Sequence, residues 1–135
     1  MKVGLLALLM LGVVACGAYQ FSGGPPSPSP ALGTVSGHVV AVPCAPVEQP
    51  GKACAGRPVP KLEIDYVVGT RVASRAVTDG GGSYVVGLEP GAYTVRMQTY
   101  MRVISGPLSL TVAAGSRMAA NYILDSGIRV PVPQQ

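Results

Sequence analysis

The sequence predicts an all-β protein, an antiparallel sandwich of short strands, and three observations predict it. The 18 glycines and 13 prolines make up about 23% of the 135 residues, roughly twice ordinary usage, and they are the two worst residues for a helix interior. From residue 33 onward apolar residues recur with a period of two, the mark of strands with one wet and one dry face. Gly and Pro signals interrupt the alternation at about ten-residue spacing, as sandwich turns do. With 48% hydrophobic and 12% charged residues and a mean hydropathy of +0.40, disorder across the whole chain is excluded. The length suits a single domain with appendages.

The first element is an address. Lys2 forms a short positive start and Val3–Ala15 an apolar run of thirteen residues, too short for a stop-transfer helix. The run closes on Val13-Val14-Ala15-Cys16, which resembles the lipobox of bacterial lipoproteins. The resemblance implies that the Cys16 thiol accepts a diacylglyceryl group, that residues 1–15 are then removed, and that palmitate-type chains anchor the new terminus. Two or more chains at one residue hold stably where one is marginal. Removal of residues 1–15 leaves 120 of the 135 residues and, with Lys2 gone, a net charge of +3 in place of +4. Gly17 follows the cysteine, so the Asp that enterobacteria use for inner-membrane retention is missing. The competing reading is an ordinary signal peptide or a buried strand with an incidental cysteine.

Residues 16–32 are the lipidated cysteine and a tether. Ser22–Ala31 reads SGGPPSPSPA, a composition that stays extended and polyproline-like because it has little apolar surface to bury. From Gly17 to Gly33 it spans at most about 55–60 Å. A spacer and a merely unstructured terminus share this composition.

Cysteine arithmetic agrees with export. Three cysteines leave an odd thiol; with Cys16 assigned to lipid, Cys44 and Cys54 remain as a disulfide pair in an oxidising compartment. A zinc site is the alternative, but it needs four ligands, and His38 is the one histidine of the chain.

Five alternating runs follow: Val35–Ala41, Leu62–Tyr66, Tyr93–Met97, Leu108–Val112 and Met118–Leu124. In each, the first residue and every second one after it belong to the dry face, which puts His38, Glu63 and Asp65 on wet faces. Val68-Gly69-Thr70 suits a hairpin. Thr78-Asp79-Gly80-Gly81-Gly82 supplies positive-φ positions and an Asx-type side-chain bond. Pro90-Gly91 fits the centre of a type II turn, with Gly91 at positive φ. Ser105-Gly106-Pro107 and Ala114-Gly115 end the next strands, and Pro131 and Pro133 keep residues 127–135 out of any central strand.

Thr78-Asp79-(Gly80-Gly81)-Gly82-Ser83-Tyr84 followed by Leu88-Glu89-Pro90-Gly91-Ala92-Tyr93-Thr94-Val95 is similar to the pattern T-D-x-x-G-x-Y…L-x-P-G-x-Y-x-V of the carboxypeptidase regulatory-like domain. Gly33–Val39 resembles that family's opening strand, and Pro58-Val59-Pro60 the approach to its second. The resemblance spans about residues 33–124. It implies a seven-stranded, prealbumin-like (transthyretin-like) Greek-key sandwich over residues 33–126, and an accessory role without catalysis. Thr78, Asp79, Gly82, Tyr84, Leu88, Pro90, Gly91 and Tyr93 are then structural motif residues. Tyr93, two residues past Pro90-Gly91, is placed to fill the core with its ring and bond nearby backbone with its hydroxyl, as a tyrosine corner does.

Catalytic material is thin. No serine has glycines at −2 and +2, and there is neither an H-E-x-x-H nor a P-loop. Glu63 and Asp65 share a strand face at about 6–7 Å, a spacing for paired carboxylates, though a solvated face is the commoner meaning. Asp79 and Glu89 are oxygen ligands for calcium at most; Asp79 reads better as a turn cap. Enzymes on similar sandwiches ask for residues missing here. Hydroxyisourate hydrolases need several histidines and a C-terminal Tyr-Arg-Gly-Ser, and intradiol dioxygenases need two His and two Tyr. Collagen-adhesin repeats form a Lys–Asn isopeptide bond beside a Glu, and Met97 stands in that Glu's place. The sequence pI near 9.2 comes from dispersed basic residues, without the clustered cations and interleaved aromatics of nucleic-acid binders.

The expectation is therefore a non-enzyme of the cell envelope without cofactor or metal. It is lipid-anchored at the outer membrane or cell surface, and its partners are membrane lipid through acylated Cys16 and an envelope protein. The alternative is a module that binds cell-surface glycan or peptide. The expected interaction surfaces are the stapled loop Pro43–Pro60 and the unpaired sheet edges.

Overall fold

A computed structural model describes residues 24–47 and 50–128. Residues 1–15 (the expected removable signal), Cys16, the first part of the tether (17–23) and all but two residues of the 127–135 tail lie outside the described residues. What is described is all-β, without helices, and forms two sheets packed as a sandwich.

The strands are β1 (Gly33–Val42), β2 (Arg57–Pro58), β3 (Glu63–Val68), β4 (Arg71–Val77), β5 (Ser83–Leu88), β6 (Gly91–Met97), β7 (Arg102–Ser105), β8 (Ser109–Val112), β9 (Arg117–Ala119) and β10 (Tyr122–Asp125). One sheet has the order β4-β3-β6-β8 and is antiparallel throughout. The other is centred on β1 and is mixed. Along one side β1 pairs antiparallel with β5 and β2; along the other it runs parallel to β9 and β10, and β7 lies outside β10. The uniformly antiparallel expectation fails here for a topological reason. Hairpins force antiparallel pairing only between sequence neighbours, and β1 meets β10 from across the whole domain.

The alternating runs bury the faces they predict. Val35, Val39 and Ala41 of β1, Ile64 and Tyr66 of β3, Tyr93 and Val95 of β6, and Ala120, Tyr122 and Leu124 around β10 form the core between the sheets. Two readings need correction. Leu108 is half exposed, because it belongs to the crossing before β8 and not to that strand. Asp65, expected on a wet face, is 2% exposed.

The chain passes repeatedly from one sheet to the other, and most crossings are fastened by a side-chain hydroxyl on a main-chain carbonyl. Thr78 Oγ1 donates to the Val59 carbonyl at 2.6 Å, Tyr93 Oη to Glu89 at 2.8 Å, Tyr122 Oη to Pro107 at 2.8 Å and Ser116 Oγ to Ala113 at 2.8 Å. A crossing leaves ladder groups without a strand partner, and a buried carbonyl left so costs about 1–3 kcal/mol. The Thr78, Tyr93 and Tyr122 hydroxyls reduce that cost at the part-buried crossings, while the Ser116 bond is exposed and only tightens its turn.

Between β9 and β10 the parallel ladder to β1 is interrupted at Ala120-Asn121, opposite Gly37-His38, with the register unchanged on either side. A Cβ on Gly37 would lie 1.9 Å from the Ala120 carbonyl oxygen, so only glycine admits this approach. The ladder is repaired around it. Ala120 N donates to the Ser36 carbonyl at 2.8 Å, Tyr84 Oη donates to the Ala120 carbonyl at 2.6 Å, and the Asn121 side-chain oxygen accepts from His38 N at 2.9 Å.

Candidate functional site

The stapled loop joins β1 to β2. Cys44 and Cys54 are disulfide-bonded with their Cα atoms 5.7 Å apart, and the Cys54 sulfur accepts from Gly56 N at 3.4 Å. Arg57 and Pro58 then pair with Ala41 and Val40, so the loop returns to the strand it left. Pro43 follows a cis peptide bond. Beside the staple, Pro43, Cys44, Pro46, Arg57, Ser126 and Ile128 line a shallow cavity of about 60 Å³. Ser126 closes its floor, bonding the Val42 carbonyl through both N (2.9 Å) and Oγ (3.1 Å).

The first motif segment sits at the same end of the sandwich. Thr78 is buried; besides donating to Val59, its hydroxyl accepts from Leu62 N at 2.8 Å, and its main chain pairs with Lys61 and Leu62. The threonine thus pins the entry to β3 against the exit from β4. Asp79 Oδ1 accepts from Gly81 N and Ser83 N, both at 2.9 Å, which makes it the cap of an Asx turn. Gly82 has φ 78° and would press a Cβ to 2.5 Å from the Val39 carbonyl oxygen. Tyr84 and Leu88 are buried, Tyr84 holding the Ala120 carbonyl.

The second segment sits at the opposite end. Glu89 and Pro90 alone separate β5 from β6, strands of different sheets. Gly91 has φ 159° and begins β6. This is extended backbone and not the second centre of a type II turn, because a crossing between sheets does not need the reversal that a hairpin needs. The two motif segments are thus brought to different ends of the sandwich.

His38 is exposed, its Nδ1 3.0 Å from Ser83 Oγ across the β1–β5 pair. Among the described residues no group of three or more His, Cys, Asp or Glu is placed to hold a metal ion.

Two polar features escaped the sequence reading. On the outer face of the β4-β3-β6-β8 sheet, Arg75 lies over Asp65, with Nε on Oδ1 at 2.5 Å and Nη2 on Oδ2 at 3.4 Å; Gln98 Nε2 donates to Oδ2 at 2.8 Å. Arg75 Nη1 also reaches Glu63 Oε2 at 3.0 Å. Glu63 and Asp65 are therefore clamped by one guanidinium and are not a free carboxylate pair; Asp65 is buried, while Glu63 stays about half exposed as a solvated face expects. Hydrogen bonds from Arg75 and then Gln98 hold the Asp65 carboxyl below its ordinary range, against a smaller opposing effect of burial. A hairpin around Gly69 with unbroken register would set Asp65 opposite Ser74. The bulge at Ala73 moves Arg75 there, and no sequence signal announces it.

The second feature is a set of buried phenols. Tyr84 and Tyr122 have ring centroids 6.5 Å apart, and Tyr66 meets Tyr93 edge-on at 6.4 Å. Tyr84 and Tyr122 donate to carbonyls, while the Tyr66 hydroxyl is buried without a hydrogen-bond partner among the described residues. Burial pushes Tyr66 up to about 12, with the Tyr84 hydroxyl pulling the other way. Burial drives Tyr84 and Tyr122 higher still.

No family model and no curated protein sequence matches the chain.

Proposed function

We propose that the protein is a lipid-anchored component of the cell envelope, held by an acylated Cys16. In this reading its sandwich is a non-catalytic structural or protein-interaction module of the carboxypeptidase regulatory-like, prealbumin-like kind. One observation carries the non-catalytic part. The polar side chains of the motif are committed to the fold's own backbone: Thr78 to Val59 and Leu62, Asp79 to Gly81 and Ser83, Tyr84 to Ala120, Tyr93 to Glu89. Strand arrangement supports the finer fold reading. Counting β9 and β10 as one interrupted strand, β7 and β8 as one strand that changes sheets, and β2 as part of the stapled loop reduces the ladder to seven strands. Among the described residues the outer edges of β4, β7 and β8 carry no strand, so they and the stapled loop are the surfaces on which a protein partner adds.

The anchoring half is tested by Cys16→Ser in the producing cell. The expected result is loss of palmitate labelling and movement of the protein out of the membrane fraction. Unchanged labelling refutes the reading.

A further inference from the structure

We infer that the sandwich is built to withstand tension applied between the segment entering β1 and the segment leaving β10. The two segments leave from opposite ends of the domain. At Gly33 the chain enters beside Leu88 of β5 and the β8–β9 turn, where Gly115 N donates to the Ala31 carbonyl at 3.2 Å and Thr34 N to Ser116 at 2.7 Å. At Asp125 it leaves β10 beside Val42, the far end of β1.

Because β1 runs parallel to β9 and β10, pulling these segments apart draws β1 and β10 past each other along their common axis. Ladder hydrogen bonds lie across or obliquely to that axis, so the pull meets many of them at once and no single bond at the margin is opened first. β1 is gripped on both sides for nearly its full length. β5 holds Gly33–His38 and β2 holds Val40 and Ala41; opposite them, β9 holds Thr34–Ser36 and β10 holds Val39–Val42. Ser126 fastens the end of the pair by bonding the Val42 carbonyl twice. The Asn121 and Tyr84 side chains close the break in the ladder between β9 and β10, so no unbonded stretch lets the shear start there. The Cys16 anchoring reading supplies one of the two attachments that such a load needs, and a partner gripping the segment after β10 would supply the other; the resistance itself depends only on this topology.

Forced unfolding is governed by the barrier along the pulled direction, so two pulling geometries on one fold separate topology from stability. Full chain carrying Cys16→Ser is pulled from its two ends by optical tweezers. The comparison pulls from the N-terminal end and a handle on Ala114→Cys, an exposed position of the β8–β9 turn, which peels β1 away bond by bond. The expected result is a rupture force several-fold higher for the end-to-end pull, with thermal stability alike in both proteins. Equal forces, or a weaker end-to-end pull, overturn the inference. Failure of palmitate labelling refutes the anchor and leaves this force ratio unchanged.

Discussion

Gly37→Ala tests the idea that the close approach of the Ala120 main chain to Gly37, more than any surface chemistry, constrains this sequence. The new Cβ would sit 1.9 Å from the Ala120 carbonyl oxygen, 2.7 Å from its carbon and 3.1 Å from Tyr84 Cε1. Carbon–oxygen contacts are ordinarily about 3.3 Å or more, so the two strands must part by well over an ångström. The obstacle is main chain, which has no rotamer with which to yield. Parting disrupts three hydrogen bonds at once: Ala120 N to Ser36, Tyr84 Oη to Ala120, and His38 N to Asn121. At roughly 0.5–1.5 kcal/mol net apiece, and in line with the cost of overpacking, the loss is about 3 kcal/mol. For a domain of this size that lowers the melting temperature by about 12–24 °C. Circular dichroism during thermal and urea unfolding measures it, with Gly80→Ala as the control, since a Cβ there meets nothing within 4 Å. Gly80→Ala should stay within about 0.5 kcal/mol of the parent. A Gly37→Ala protein equally close to the parent would refute the argument.

Three further outcomes follow from the same geometry. The Asp65 carboxyl is held low, so its stabilisation is complete above its unfolded value near 3.8 and disappears as pH falls through the lower folded value; urea midpoints between pH 2 and 6 should show a smaller acid-side decline for Asp65→Asn than for the parent. Tyr66 behaves oppositely. It is raised from 10.0 to about 12, so stability present below pH 10 is lost as pH rises through 12, and phenolate absorbance should show buried tyrosines ionising together with unfolding. Reducing Cys44–Cys54 opens an eleven-residue loop, whose closure stabilises by about 2.8 kcal/mol in the chain-entropy model. A reductant-insensitive urea midpoint, or free thiols in the non-reduced peptide map, contradicts the staple.

Local readings fared best where neighbours in the chain decide the outcome. Alternation identified the dry faces of β1, β3, β6 and β10 because a pleated strand turns each successive side chain over. The Asp79 cap and the Thr78–Gly82 turn were legible for the same reason, since partner and acceptor lie within four residues. Asp65 was misread because its burial is supplied by Arg75, from another strand and through a one-residue bulge. Gly91 was misread because a crossing between sheets and a hairpin turn begin with the same Pro-Gly pair. Thr78 was recognised by resemblance, but its hydrogen bonds to Val59 and Leu62 reach nineteen and sixteen residues back along the chain.

By itself the sequence determined that this chain forms strands rather than helices, where they turn, and which of their faces are apolar. Those properties follow from backbone freedom at glycine and proline and from the period of side chains along an extended chain, and both are written residue by residue. Tertiary structure alone decided that β1 lies parallel to β10, that Gly37 must accept a carbonyl where a side chain would be, and that one guanidinium clamps Glu63 with Asp65. Each of these depends on which strands become neighbours and in what register, and register is set by packing across the whole domain.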